Sequence, residues 1–136
     1  MNILFWVVMI IVSVEAKSLV IASGKNSAFP PLGLEEVHDL YVAKHFRIGN
    51  HKVLLLNLEA DHPLRHTFEH EVLRENRDAL GYAWLQAHYL GHHAPKVFKS
   101  QEAVAQFLTN VEDAVGYVEE EVALRYHLTI LFRVKE

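Results

Sequence analysis

Residues 52–73, KVLLLNLEADHPLRHTFEHEVL, decide the fold of this chain. Val53, Leu54, Leu55 and Leu56 form an unbroken apolar run of the length and composition of a buried strand. The polar Glu59-Ala60-Asp61-His62 that follows leads directly into a helical pattern. Pro63 suits the first turn of that helix, where its missing N–H and fixed φ cost nothing, and Asp61 or His62 takes the capping position. In an open α/β sheet the crevice beyond the carboxyl end of a strand, where a helix start presents backbone N–H groups, is where anions bind. This junction, with His62 at the cap and Arg65 in the first turn, is therefore the first candidate for a site.

Outward from it, residues 19–22 are a strand, followed by Ser23-Gly24-Lys25-Asn26-Ser27, a loop of small hydrogen-bonding residues, and by Pro30-Pro31, which keep the connection extended. Leu34, Val37, Leu40 and Tyr41 share one helix face. Residues 47–51, with Gly49-Asn50, turn the chain back into the central strand. Strand, helix and strand thus predict a right-handed βαβ unit. In the second helix Leu64, Phe68 and Val72 form the buried stripe. A third helix begins around residues 75–78, buries Leu80, Trp84 and Ala87, and ends at Gly91. After a loop over residues 92–99, Ser100 caps a fourth helix with Val104, Phe107 and Leu108 inward. Residues 114–118 read as a short buried strand, and Leu128, Ile130, Phe132 and Val134 alternate with polar residues as a last strand. These elements define an α/β domain.

The 136 residues, 51% hydrophobic, suit one domain with one core. Residues 3–12 are apolar throughout but too few to span a bilayer, and Val14-Glu15-Ala16 provides a cleavage point, so residues 1–16 are expected to be a secretory signal peptide and residues 17–136 the exported domain. The mature chain then has no membrane span. Glu15 is the only charged side chain in the leader; without it the formal charge of −4 becomes −3, which argues against a nucleic-acid partner. The chain has no Cys, which excludes disulfides, thiolate metal sites and Cys nucleophiles and is compatible with a bacterial periplasm.

The order of these elements and four local stretches resemble the phosphate ABC transporter substrate-binding-protein-like family, in particular its short single-lobe members. The stretches are residues 20–27, the helix Leu34-Glu35-Glu36-Val37-His38-Asp39-Leu40-Tyr41, the junction over residues 59–68, and NVEDAVGYV at residues 110–118, ending in Gly116-Tyr117-Val118. Gly91 and Pro95 also fall where such proteins place a Gly and a Pro. The resemblance implies a single three-layer αβα domain with a mixed, mostly parallel sheet, like one lobe of a type II periplasmic binding protein. It further implies weak recognition of phosphate or another small oxyanion, without a cofactor, in an accessory role to a membrane transport or sensor protein. Ser23, Asn26, Ser27, His62 and Arg65 are the ligand-binding residues it points to, on the expectation that both loops converge at one edge of the sheet. Where larger phosphate binders carry a Ser/Gly/Thr cluster this chain has Asp61-His62-Pro63-Leu64, and an Asp at that mouth repels an anion.

Two alternatives remain at the level of sequence. His62, His66 and His70, three of ten histidines, repeat every four residues and so fall within about 80° of arc on one helix face, about 6 Å apart, a spacing that can chelate Zn²⁺. That face lies opposite the apolar stripe, so it is read as a solvated His-rich surface and no metal site is assigned, with the metal site as the alternative. The other alternative is a protein-interaction domain without a ligand. No catalytic residue is assigned: G-x-S-x-G, H-E-x-x-H and the Walker-type loop do not occur, and the acidic Glu119-Glu120-Glu121 is expected to be a solvated run.

Overall fold

The computed structural model describes residues 18–134, so the expected leader lies outside the described residues. In chain order the elements are β1 (Leu19–Ser23), α1 (Leu34–Tyr41), β2 (Arg47–Ile48), β3 (His51–Lys52), β4 (Leu54–Leu58) and α2 (Pro63–Thr67), which runs into a π-helical turn (Phe68–Leu73). Then come α3 (Arg77–Tyr89), β5 (Lys96–Phe98), α4 (Gln101–Asn110), β6 (Ala114–Glu119), α5 (Glu120–Arg125) and β7 (Thr129–Arg133). Five strands form one sheet in the order β5-β4-β6-β1-β7, while β2 and β3 make a separate hairpin around Gly49, whose φ of +58° suits a glycine. Because β4 is parallel to β5 and β6, and β1 is antiparallel to β6 and β7, four strands share a direction and β1 alone opposes them.

That arrangement confirms the mixed, mostly parallel sheet and corrects the expected βαβ unit. β6 lies between β1 and β4, and β1 runs against both. Both faces of β1 are buried along its length, as are those of β6 from Ala114 to Val118. Apolar pattern identifies such strands as central but does not say which of them are neighbours.

Helices cover both faces. Tyr117 lies directly opposite Ile21, and its ring stacks on Phe68 (centroids 4.0 Å apart) and meets Tyr41 edge-on at 6.2 Å, which sets α1 and the π-turn on one side. Gly116, opposite Ala22, points to the other side, where an added Cβ would come within 3.0 Å of Val104 and 3.2 Å of Leu56; the missing side chain lets α4 lie close to the sheet. α5 packs beside α4 there. The Trp84 indole N–H donates to the Tyr41 carbonyl at 2.9 Å and ties α3 to α1. Of the three residues expected to be buried in α3 only Ala87 is fully so, with Leu80 and Trp84 half-buried, while Tyr82, Leu85 and Tyr89 face solvent.

Further departures have local causes. The second helix widens into the π-turn after Thr67, which turns Glu69 and Leu73 inward beside Phe68 and Val72, and it ends at Arg74 in the left-handed region. Glu120 and Glu121 form the first turn of α5, where acidic side chains complement the helix dipole. β5 forms inside the expected loop. In and beside β7 Leu131 is the fully buried residue, Leu128, Ile130, Phe132 and Val134 are half-buried against the core, and a bulge between Ile21 and Ala22 shifts the register with β1.

Candidate functional site

β4 ends at Leu58, and the Glu59 N–H donates to the Phe98 carbonyl at 3.0 Å, holding this exit against β5. The His62 N–H closes the turn on the Glu59 carbonyl at 3.0 Å. His62 is the cap of α2: its Nδ1 accepts the Leu64 N–H at 3.1 Å, and its carbonyl accepts the Arg65 N–H at 3.0 Å. With Nδ1 as acceptor, the neutral ring carries its proton on Nε2. Capping by His62 was one of the two options legible in sequence. The expected cradle of outward N–H groups is corrected, because Pro63 has no N–H and those of Leu64 and Arg65 bond to His62.

The positive charge here belongs to side chains. Arg65 turns inward, donating from Nη1 to the Leu58 carbonyl at 2.8 Å and from Nε to Glu69 at 3.3 Å. The opposite oxygen of Glu69 accepts the Arg77 Nε–H at 2.9 Å, and Arg77 also donates to the Ala60 carbonyl. Glu69 is 7% exposed, so the π-turn sinks one carboxylate between two guanidiniums. The Arg77 side chain is the wetter of the two, 38% exposed against 19% for Arg65. Below them the Tyr117 hydroxyl donates to the Asn57 side-chain oxygen. Burial pushes the Tyr117 phenol well above its usual range, the hydrogen bond from Leu58 and the guanidiniums of Arg65 and Arg77 draw it back, and Glu69 opposes them. Tyr117 is thus a neutral donor at neutral pH. The two guanidiniums offer charge-assisted hydrogen-bond donors for a small oxyanion, against which Glu59 and Asp61 of the same turn set negative charge.

Ser23, Asn26 and Ser27 do not join His62 and Arg65. Ser23 pairs with Val115, which in turn pairs with Leu55, so this loop sits at the amino end of β4 whereas His62 and Arg65 follow its carboxyl end. The expected convergence required β1 and β4 to be parallel neighbours, and they are neither. Ser23 is fully buried with its hydroxyl bonded to that of Ser27, and Asn26 is exposed. Gly24 abuts the Leu108 carbonyl in the last turn of α4, the negative end of that helix.

The histidine stripe is broken in the same way. His62 is engaged as the cap, and the change from α to π after Thr67 takes His70 out of the four-residue alignment with His66. His66 and His70 line an open groove of about 750 Å³ together with Glu69, Glu71, Arg74, Glu75, Asn76 and Arg77. Among the described residues no group of three or more His, Asp or Glu side chains is arranged to hold a metal ion, and no helix is long and apolar enough to cross a membrane. Sequence reasoning missed Asn57, Glu69, Arg77 and Tyr117. The Arg65/Glu69 spacing of four was visible; Arg77 meets them only because the π-turn redirects the chain.

A mixed sheet with one reversed central strand and helices on both faces is the architecture of one lobe of a periplasmic binding protein. Among solved structures the chain is similar to a protein of Clostridium perfringens described as a phosphate ABC transporter substrate-binding protein with bound phosphate (TM-score 0.68, 13% identity, 84% of this chain and 44% of that one). It is also similar to PstS of Borrelia burgdorferi (TM-score 0.64, 11% identity, 84% and 46%) and to an ABC-type phosphate transport receptor of Vibrio cholerae (TM-score 0.65, 17% identity, 84% and 45%). At these identities the likeness is one of fold, and the chain spans slightly less than half the length of each. No family model and no curated protein matches the sequence.

Proposed function

We propose that this chain is an exported, non-enzymatic substrate-binding-protein-like domain that holds a small oxyanion such as phosphate weakly and serves a membrane transport or sensor protein. The observation that supports it is the corner where Arg65 and Arg77 flank the buried Glu69 at the carboxyl end of β4, beside the His62 cap. Two of the fold neighbours are described as a phosphate transporter substrate-binding protein and a phosphate transport receptor, which agrees with a binding role in place of catalysis. Affinity is modest because the helix-start N–H groups and much of Arg65 already have internal partners, which gives a Kd of about 0.1 to 10 mM, roughly 3 to 5 kcal/mol. Arg77, the most exposed cation of the corner, and the outward Nε2–H of His62 make the first contacts.

The test is an NMR titration with phosphate at constant ionic strength. Amide shifts are expected to cluster over residues 58–65 and at Arg77, and Arg77→Gln is expected to weaken binding several-fold. Shifts centred on Ser23 and Ser27, or scattered over the surface, would refute the assignment.

A further inference from the structure

At the other end of β4, away from the proposed oxyanion corner, a cavity of about 510 Å³ opens between the β2–β3 hairpin and the C-terminal end of α3. That volume lies within the usual range for small-ligand sites. Its floor is apolar, with Leu40 and Leu55 buried and Leu54 half-buried. One wall is aromatic. Phe46 lies parallel to the His92 ring with centroids 3.5 Å apart and meets Trp84 edge-on at 6.2 Å. The Trp84 indole N–H is fixed on the Tyr41 carbonyl, so the wall is preformed.

The mouth carries a charge pattern that internal packing leaves uncompensated. Arg47 and Lys52 are direct cross-strand partners in the hairpin, and like charges so placed destabilise a sheet. Neither pairs with a carboxylate among the described residues; the Arg47 guanidinium reaches only the Asn50 carbonyl at 3.1 Å. Among the described residues Asp113 is the only carboxylate lining the cavity, so the two cations face one anion and the excess is a single positive charge.

We propose that this cavity is a binding site for a small monoanion with a planar apolar body, of the aromatic carboxylate class. The ring enters against Phe46 and Trp84 and covers the Leu40 and Leu55 floor. The carboxylate lies between Arg47 and Lys52, relieving their repulsion, and Asp113 disfavours a second negative charge. The site is separate from the corner at Arg65 and Arg77 and does not depend on its function.

The experiment is an NMR titration of the full chain with 2-naphthoate and, separately, with its neutral isostere 2-naphthamide. Saturable one-to-one binding of naphthoate is expected, with the largest shifts at the Trp84 indole N–H and around Phe46 and Ala94, and with the amide binding about tenfold more weakly. In the variant Arg47→Gln/Lys52→Gln naphthoate affinity falls to that of the amide, while the amide is unaffected; Arg77→Gln changes neither. Equal affinity of the two probes for the unmodified protein, absence of saturation, or shifts centred on residues 58–65 would overturn the proposal. The probe comparison needs no substitution and decides the matter even if the double variant fails to fold.

Discussion

Replacing Glu69 by Gln separates the two roles of the Arg65–Glu69–Arg77 corner. Glu69 is 7% exposed and receives Arg77 at 2.9 Å and Arg65 at 3.3 Å. Glutamine keeps the shape and one acceptor oxygen but leaves two guanidiniums facing each other without a counter-charge. Removing one partner of a deeply buried pair costs about 3 to 5 kcal/mol, whereas exposed pairs contribute at most about 1 kcal/mol. The Arg65 side chain is 19% exposed, so its pair falls between these limits. At 38% exposed, Arg77 is discounted nearly to the surface value. The expected loss is about 2 kcal/mol, which at a urea slope of about 2 kcal/mol/M lowers the unfolding midpoint by about 1 M. The same substitution adds one positive charge to the corner, so phosphate binding at low salt is expected to tighten about three- to tenfold. Urea unfolding followed by circular dichroism, with a phosphate titration of the folded variant, measures both. A stability change below about 0.5 kcal/mol, or phosphate affinity that falls, would refute the electrostatic account.

Two glycine substitutions are expected to act with opposite signs in a thermal unfolding assay. Gly24→Ala would put a Cβ 2.3 Å from the Leu108 carbonyl oxygen, which is backbone and cannot rotate away, and is expected to cost at least about 2 kcal/mol. Gly81→Ala, inside α3 with nothing within 4 Å of the new Cβ, is expected to stabilise by about 0.5 to 1 kcal/mol; effects of the same sign would contradict the packing described. Alkaline stability follows from Tyr41 and Tyr117, whose phenols burial holds above the ordinary 10.0. The folded protein keeps protons that the unfolded chain releases, so stability is complete below pH 10 and falls above it, by about 1.4 kcal/mol per pH unit for each tyrosine. Tyr41→Phe should lower that slope by one tyrosine's share, although it also removes the hydrogen bond to the Leu56 carbonyl; an unchanged slope would refute the assignment.

The elements of this fold were legible in sequence wherever one residue pattern dominates its environment. The apolar runs of β1, β4 and β6, the Pro63 and Ser100 helix starts and the Gly91 terminus, which has φ +88°, all appear as expected. What failed was adjacency. Leu19–Ser23 reads as a buried strand whichever neighbours it has, so the short route through α1 to β4 suggested a parallel pair that β6 in fact separates. Three-residue β5, two of whose side chains are exposed, is too short to show any period. The site suffered most from this, since Ser23 and His62 belong together only if β1 points with the sheet. Glu69 was hidden for another reason: a helix of regular pitch does not turn it inward, and only the π-turn does.

The reversed strand also constrains how the protein is made. Residues 19–23 are the first described segment to be synthesised, yet their partners are residues 115–119 and 129–133, the last two described strands of the sheet. The middle of the sheet therefore cannot close until residues 115–133 have been made, and each pairing must first bring distant segments together, which slows folding. β4 and β5 can meet earlier, but without β6 and β1 they lack the central strands they pack beside. The nascent chain thus stays open in the middle of the sheet until those later segments have been made. Cutting it before residue 114 removes both neighbours of β1 at once.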